Sequence, residues 1–347
     1  MKKNLLFIAL LLLVAIAGAQ AKKKTRLYAV GFYNQENLFD TCHDEGKRDY
    51  DFLPDGSCKW NTLKYTHKLH NMAQALADMA TDSLPGIGCA AIGLAEVENS
   101  HVLDDLTAQP ALKARGYKYI HVEGPDLRGI DCALLYNPAL FKVRDVKLVP
   151  YVTEEPKDSA FLTRGFLTVS GKMAGEHVAI VVCHWPSRAS TSYYRELAAR
   201  QARAVKDSLL RADKKCKVMI MGDMNDDPVN PSMMKGLSCK ADIQAVGDAD
   251  MYNPWYNILV NEKRGTLYHR GAWNLFDQIV LSPNMLDNKS RKASKKLTFI
   301  SNEINVRPYL LQTEGKYKGT PKRTTASKKW LDGYSDHLPV VVYLGKK

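Results

Sequence analysis

In Val218-Met-Ile-Met-Gly-Asp-Met-Asn225, four apolar residues lead directly into the polar sequence Gly-Asp-x-Asn. A short apolar run bounded by glycine and aspartate is typical of a buried β-strand that ends in a loop. An aspartate directly after a strand is usually a turn residue or a helix cap. This stretch therefore indicates a functional site only if the same pattern recurs elsewhere in the chain.

The pattern does recur: polar residues lie directly beside apolar, strand-like runs at six places in the chain. Loops gather at strand ends, and binding and catalytic residues are concentrated on loops. Oxygen donors and two histidines recur at these strand ends in a set that chance does not explain. The residues are Asn34, Glu36, Glu96, His184, Asp223, Asn225, Asp277, Asp336 and His337.

The order of predicted elements favours a mixed α/β architecture of stacked layers, because strand-like runs are interspersed with long helical patterns. Apolar stripes at helical spacing cover residues 63–76 and 197–210. We find no internal repeat and no Ser/Gly linker, and we predict one domain over residues 26–347. A hydrophobic fraction of 45% with a charged fraction of 25% excludes collagen-like and wholly disordered chains.

The first residues are typical of a secretory signal peptide, which we place at residues 1–19. Lys2 and Lys3 precede an apolar run over residues 5–16, and Ala17-Gly-Ala19 supplies the small residues that cleavage requires. This apolar run is shorter than the roughly 20 residues that span a bilayer. We therefore expect an exported protein, periplasmic or secreted, with no stable membrane anchor, and we expect a monomer.

Export permits disulfides, and the chain has 7 cysteines, an odd number. Cys42 and Cys58 bracket a polar, turn-rich stretch and form the favoured pair, and Cys216 with Cys239 comes second. No C-x-x-C pair occurs, and none of the 9 histidines forms an H-x-x-x-H pair. A zinc site is therefore not expected.

The order Asn, Glu, Arg-Gly, His, Gly-Asp-x-Asn, Asp, Ser-Asp-His resembles the endonuclease/exonuclease/phosphatase superfamily, and more narrowly its secreted bacterial nuclease-like members. These motifs run from Asn34 to His337 and so cover nearly the whole mature chain. The resemblance implies a DNase I-like fold, a four-layer α/β/β/α sandwich. It also implies divalent-metal-dependent cleavage of phosphate esters.

The resemblance also implies roles for individual residues. His337 matches the essential histidine, Asp277 the acid that orients it, and His184 a second histidine. Phosphate or the attacking water would be contacted by Asp223, Asn225 and Arg128. The metal ligands would be Asn34, Glu96 and Asp336, with Glu36 close enough to contribute.

Elementary chemistry supports these roles, because hydroxide attack on an anionic phosphodiester requires neutralisation of its charge. Mg²⁺ is a hard cation that takes one or two carboxylates together with waters and substrate oxygens. We therefore expect Mg²⁺, with Mn²⁺ or Ca²⁺ as alternatives. Whether His337 removes the proton of the water or acts as an imidazolium is left open by the sequence.

The formal net charge of +12 favours a polyanionic substrate, and residues 289–329 are rich in Lys and Arg. We expect a nuclease acting on DNA or RNA, with a cleft rim formed by Lys316, Lys318, Lys322 and Arg323. The alternatives are a sphingomyelinase-like lipid phosphodiesterase, a phosphomonoesterase of the same superfamily, or a catalytically inactive binding protein. A lipid-cleaving enzyme would need an exposed apolar hairpin, for which Trp255-Tyr256 is the candidate.

Overall fold

The computed structural model of the protein describes residues 25–154, 161–286 and 291–347. The predicted signal peptide lies outside the described residues. Within these ranges, no helix combines the length and the apolar character that a membrane crossing requires.

The described residues form 17 strands, and the apolar run over residues 218–221 lies in one of them, as predicted. In chain order they are β1 (Arg26–Leu38), β2 (Ala91–Val97), β3 (Lys118–His121), β4 (Asp131–Tyr136), β5 (Phe141–Val149), β6 (Phe166–Met173), β7 (Glu176–His184), β8 (Lys217–Asp223), β9 (Cys239–Lys240), β10 (Met251–Tyr252), β11 (Leu267–His269), β12 (Ala272–Asn274), β13 (Asp277–Leu281), β14 (Thr298–Ile304), β15 (Thr325–Ala326), β16 (Lys329–Trp330) and β17 (Val340–Lys346).

Both expected helices are also confirmed. The α-helices are α1 (Thr62–Asp78), α2 (Ser100–Ala108), α3 (Pro110–Lys113), α4 (Ser192–Ala212) and α5 (Tyr256–Val260). The side chains of Asn61 and Asn99 cap α1 and α2 by accepting hydrogen bonds from backbone N–H groups of the first turn. Shorter helical turns cover Tyr50–Phe52, Ser232–Gly236, Ile243–Ala245, Pro283–Met285 and Pro308–Leu310.

Two large mixed sheets form the centre of the molecule. One has the order β14-β17-β1-β2-β4-β3, and the other has the order β5-β6-β7-β8-β13-β10-β9. They pack face to face, with β2 and β4 against β7 and with β1 against β8 and β13. Helix α1 covers the outer face of the first sheet and α4 that of the second. The predicted four-layer, DNase I-like α/β/β/α sandwich is therefore confirmed.

Gly93 of β2 allows the two sheets to approach closely. A Cβ atom at this position would lie 2.6 Å from Sδ of Met221, which projects from β8 in the opposite sheet. Both residues belong to the buried interior, where close packing leaves no room for such an overlap. The glycine therefore permits contact between the sheets directly behind the strand ends.

All 7 cysteines have free thiols, so the predicted pairs Cys42–Cys58 and Cys216–Cys239 are wrong for this structure. Cys42 is exposed whereas Cys58 lies in the apolar core, which separates the environments of the favoured pair. Burial raises the pKa of Cys58, Cys216 and Cys239. These thiols are therefore inert, small apolar side chains rather than reactive groups.

Candidate active site

Strand direction explains why residues far apart in sequence meet at one edge of the sandwich. β1 runs parallel to β2, and β7 runs parallel to β8, so the polar residues at the carboxyl ends of these strands share an edge. β13 is antiparallel to β8 and begins at Asp277, which pairs with Asp223. β17 is antiparallel to β1, so Asp336 and His337, just before it, also lie at this edge.

His337, Asp277 and Asp223 form the buried centre of the site. Nδ1 of His337 lies 2.7 Å from Oδ2 of Asp277, within hydrogen-bond distance. Nε2 of His337 lies 3.7 Å from Oδ2 of Asp223. Because Asp277 accepts the hydrogen bond from Nδ1–H, it fixes the ring so that Nε2 faces Asp223.

His184 faces the same oxygen of Asp223. Its Nε2 lies 3.7 Å from Asp223 Oδ2 and 3.9 Å from Glu96 Oε1. Its Nδ1 is buried and has no hydrogen-bond partner among the described residues. Two imidazoles therefore converge on one carboxylate oxygen, at distances that leave each Nε2 available to another oxygen.

The surroundings of the two histidines drive their pKa values apart. Burial by itself lowers the pKa of His337, but the carboxylates of Asp277 and Asp223 outweigh burial and hold this pKa well above its ordinary value. Burial and two neighbouring arginines hold the pKa of His184 well below its ordinary value. Near neutral pH, His337 is therefore a charged donor and His184 a neutral imidazole.

Asparagine side chains and loop backbone hold the carboxylate of Asp223 in one orientation. Asn34 Nδ2 donates to Asp223 Oδ2 at 3.0 Å, and the backbone N–H of Asn225 donates to Oδ1 at 2.9 Å. Nδ2 of Asn225 donates to the carbonyl oxygen of Trp185 at 2.9 Å. The Gly-Asp-x-Asn loop is thereby bonded to the residue that follows His184.

Glu96 has one oxygen engaged and one open. The backbone N–H of Asn37 donates to Glu96 Oε2 at 2.9 Å, whereas Oε1 accepts no hydrogen bond from the described residues. Nη2 of Arg128 lies 4.0 Å from Oε1 and donates to Asn37 Oδ1 at 2.7 Å. Arg128 is half exposed, so the structure brings a solvent-accessible cation beside Glu96.

Left-handed backbone recurs in the segments that form the site. Positive φ angles occur at Glu36 (47°), Asn37 (56°), Glu96 (60°) and Asn225 (49°). Each such residue costs on the order of 1 kcal/mol or more relative to ordinary backbone, and such residues cluster at functional sites. The strain at these four positions agrees with a functional role for this edge of the sheets.

Asp336 and Glu36 have different roles. Nη2 of Arg323 donates to Asp336 Oδ2 at 3.0 Å, and Asp336 Oδ1 lies 3.9 Å from His337 Nε2. The two oxygens of buried Glu36 accept hydrogen bonds from the backbone N–H groups of Thr324 and Thr325, at 2.6 and 3.1 Å. Glu36 thus joins residues 324–325 to β1. Because both of its oxygens are engaged in these hydrogen bonds, the structure does not favour the expected contribution of Glu36 to a metal site.

The remaining donors fit a hard divalent cation. Glu96 Oε1 and Asp336 Oδ1 accept no hydrogen bond from the described residues, and Asn34 Oδ1 accepts only the backbone N–H of Glu36. Two carboxylate oxygens and one amide oxygen, completed by water, match the preference of Mg²⁺.

Asp223, Asp277 and His337 also have potential ligand atoms within 4.8 Å of one another. However, Asp277 and His337 are already hydrogen bonded to each other, and the raised pKa of His337 opposes the neutral ring that a metal ligand needs. This trio is suited to proton transfer rather than to metal binding.

A cleft of about 690 Å³ opens beside Asp336. Of the four cations expected at its rim, Lys316 and Arg323 line it, and Lys318 and Lys322 do not. Lys318 lies in an exposed turn, and Lys322 is held through its backbone by hydrogen bonds to Leu310 and Tyr334. The prediction that all four cations lie at the rim is therefore right for Lys316 and Arg323 and wrong for Lys318 and Lys322.

Arg164 belongs to the site although sequence analysis missed it. Its buried guanidinium donates from Nη1 to Asp126 Oδ2 at 2.8 Å and from Nη2 to the carbonyl oxygen of Trp185 at 3.1 Å. The other oxygen of Asp126 accepts the backbone N–H of Arg128 at 2.8 Å. Arg164 therefore joins the Arg128 loop to the end of β7. Arg164 precedes a glycine, as Arg128 does, and this shared Arg-Gly pair was the one sequence feature that could have identified it.

A family model described as the Endonuclease/Exonuclease/phosphatase family matches residues 29–346. The chain belongs to this family. The match includes every residue of the site described above, so the family assignment and the geometry concern the same edge of the sandwich. Members of the endonuclease/exonuclease/phosphatase family are phosphoester hydrolases that generally use divalent metals, which agrees with the oxygen donors of Glu96, Asp336 and Asn34.

Solved structures of the same fold include proteins with different ligands. ANGEL2, a 2′,3′-cyclic phosphatase in complex with adenosine-2′,3′-vanadate, has 13% identity over 93% of this chain and 96% of that chain, with a TM-score of 0.59. A mannosyl-6-phosphatase from Bacteroides thetaiotaomicron has 17% identity over 91% of this chain and 99% of that chain, with a TM-score of 0.53.

TDP2 from D. rerio, complexed with a single strand DNA product, has 14% identity over 92% of this chain and 98% of that chain, with a TM-score of 0.52. At these identities the likeness shows the fold and does not specify a substrate. No curated protein matches the chain in sequence.

Proposed function

We propose that this protein is an exported, divalent-metal-dependent nuclease that hydrolyses phosphodiester bonds of DNA or RNA. The observation that carries the proposal is the convergence of the His337 and His184 Nε2 atoms on Asp223 Oδ2, at 3.7 Å each. The open oxygens of Glu96 and Asp336 complete this arrangement. Such a site combines proton donors, a proton acceptor and metal ligands around the space where a phosphate would bind.

Glu96, Asp336 and Asn34 would hold the cation. Mg²⁺ suits these oxygen donors, with Mn²⁺ and Ca²⁺ as alternatives, and such a cation would neutralise the phosphate charge and ease departure of the leaving oxygen. The hydrogen bond from Arg323 to Asp336 and that from Asn37 to Glu96 orient the two carboxylates, so that each presents its second oxygen.

In the proposed reaction, Asp223 orients a water molecule and accepts its proton as the water oxygen bonds to phosphorus. The bond between phosphorus and the leaving sugar oxygen breaks, and that oxygen takes a proton from Nε2 of His337. Asp277 stabilises the charged form of His337 before transfer and fixes its orientation. Nε2–H of His184 and the guanidinium of Arg128 donate to the nonbridging oxygens.

Charge supports nucleic acid as the substrate class. Removal of residues 1–19 with Lys2 and Lys3 would leave a net charge of 12 − 2 = +10, which attracts polyanions, and Arg128, Lys316 and Arg323 place part of that charge around the site. Trp255-Tyr256, the candidate for a lipid-inserting hairpin, is not an exposed apolar element. Trp255 is fully buried, and its Nε1–H donates to the carbonyl oxygen of Ile279. The sphingomyelinase-like alternative therefore has no exposed apolar element at this position.

The test is a substrate panel: plasmid DNA, RNA, sphingomyelin and a phosphomonoester, each with Mg²⁺ and with a chelator. We expect hydrolysis of nucleic acid that requires the metal and is lost in His337→Gln. His177→Gln is the matched control, because His177 lies at the opposite end of β7 from His184 and pairs with Asp213 at the surface. Turnover of sphingomyelin or the phosphomonoester alone would replace the nuclease proposal, and turnover of none would favour a binding protein.

A further inference from the structure

The cleft beside Asp336 provides a second set of groups that the reaction itself does not use. One wall is the β11–β12 hairpin, which contributes Tyr268 and Arg270, and the other is the segment that contributes Lys316 and Tyr317. Arg323 and Asp336 also line the cleft, and Asp336 Oδ1 lies 3.9 Å from Nε2 of His337. The cleft is thus continuous with the phosphate position of the proposed function, on which this inference rests.

The hairpin is bonded directly to the catalytic centre. Leu267 pairs with His337 as a β-bridge, and the backbone N–H of Leu338 donates to the carbonyl oxygen of Thr266 at 2.8 Å. Tyr268 is the next residue along the hairpin, and Trp273 packs against it in an edge-on arrangement, with ring centroids 5.4 Å apart. Tyr268 therefore forms a supported aromatic wall at a fixed distance from His337.

The second lining segment presents an exposed aromatic ring, and each of the two segments presents a cation. The side chain of Tyr317 is 56% exposed, and Nζ of Lys316 lies 5.6 Å from its ring centroid. Among the described residues, neither Arg270 nor Lys316 has an ion-pair partner. Exposed aromatic faces accept stacked bases, and unpaired cations bind backbone phosphates.

Size determines which nucleic acid can use these groups. A cleft of about 690 Å³ is comparable with pockets that enclose one small ligand. It admits one or two nucleotides but not a duplex, in which both faces of each base are already stacked on neighbours. A base can contact Tyr268 and Tyr317 only when it has left such a stack.

We propose that this cleft binds the nucleoside adjoining the scissile phosphate, with its base between Tyr268 and Tyr317 and its next phosphate beside Arg270 and Lys316. The enzyme is accordingly selective for single-stranded nucleic acid or single-stranded ends. Tyr268, Arg270 and Tyr317 become specificity-determining residues, which the sequence analysis did not identify.

The experiment measures steady-state kinetics of the full mature chain with Mg²⁺ on three substrates: a single-stranded oligonucleotide, the same sequence as a duplex, and bis(4-nitrophenyl) phosphate. In Tyr317→Ala, we expect kcat/KM for the single strand, relative to the small diester, to fall about tenfold, mainly through KM. Tyr317→Phe keeps the aromatic face and should restore the ratio.

A second arm tests the two cations. The double variant Arg270→Gln with Lys316→Gln should make the dependence of log KM on log salt shallower by about 1.4, since each lost phosphate contact on a single strand accounts for about 0.7. Lys214→Gln is the control, because Lys214 lies exposed beyond the end of α4.

Two results would overturn the inference while the nuclease proposal stands: wild-type preference for the duplex, or single-strand kinetics that are unchanged in Tyr317→Ala. Hydrolysis of the small diester without hydrolysis of any nucleic acid would instead refute the nuclease proposal. The two failures are therefore distinguishable.

Discussion

Gly222→Ala tests whether the close contact of β7 with β8 sets the separation of His184 and Asp223. Cys183 pairs with Gly222 across these parallel strands, and His184 with Asp223 is the next pair. A Cβ atom at position 222 would overlap the carbonyl oxygen of Cys183 and would lie 3.0 Å from the Cβ of that residue. Because the overlapping atom belongs to the backbone, no rotamer change can relieve it, and the strands must separate.

The magnitude follows from this geometry. A separation of about 1 Å restores an ordinary van der Waals contact, and a misplacement of about 1 Å in an active site lowers the rate by about 10²-fold. Overpacking of a well-packed interior also lowers the free energy of unfolding by about 1–3 kcal/mol. For a domain of this size, that loss corresponds to a decrease in Tm of about 2–6 °C.

The assay combines kcat on the preferred phosphodiester with thermal unfolding of the same preparation. Gly247→Ala is the matched control, because the closest atom to a Cβ there is the flexible side-chain oxygen of Asp250 at 3.3 Å. A Gly222→Ala enzyme with wild-type kcat and wild-type Tm would refute the reasoning. It would show that the distance between β7 and β8 does not control the site.

Four further outcomes are expected. Asp277→Asn should lower kcat by about 10³–10⁴-fold, because the amide favours the wrong tautomer of the histidine, and should also lower Tm, because buried His337 loses the carboxylate that stabilises its charged form; wild-type kcat would contradict this. Lys68→Met should lower the free energy of unfolding in urea by about 1–3 kcal/mol, because buried Lys68 Nζ donates to Thr324 Oγ1 and to the carbonyl oxygen of Tyr334 and the variant loses both hydrogen bonds; an unchanged midpoint would contradict this. Arg164→Lys should lower kcat about tenfold or more, because a lysine cannot donate to two loops at once, and wild-type kcat would argue against the bridge. Saturating Mg²⁺ at about 100 times Kd should raise the free energy of unfolding by about 2.7 kcal/mol over that with chelator, and Glu96→Gln should abolish most of this difference.

The main strands could be predicted because each combines an apolar run with a glycine, proline or acidic boundary, as in the stretch from Val218 to Asn225. β14 could not be predicted in this way. It lies at a sheet edge, pairs only with β17, and has Ser301, Asn302 and Glu303 in its middle. The β11–β12 hairpin has only three residues per strand, which is too short for a periodic signal.

The sequence could place most of the candidate site residues at one edge for a different reason: they lie at or near strand ends, so their place along the chain specifies their place in the fold. Arg164 escaped prediction because its importance depends on Asp126 and Trp185, two partners that only the folded chain brings together. The cleft could not be predicted for the same reason, because it is lined by the 267–274 hairpin and the 312–331 segment, which are distant in sequence.

Both sheets contribute side chains to the candidate site, so the geometry of the site depends on how the sheets pack. Asn34 lies in β1 of the first sheet and His337 just precedes β17 of that sheet, whereas Asp277 and Asp223 lie in β13 and β8 of the second. The hydrogen bonds that join His337 to Asp277 and Asn34 to Asp223 therefore both cross the interface between the sheets. A relative sliding of the sheets would lengthen both bonds together while leaving each strand ladder intact. Buried contacts behind this edge, such as that of Gly93 with Met221, consequently help to fix the distances between site residues that they do not touch.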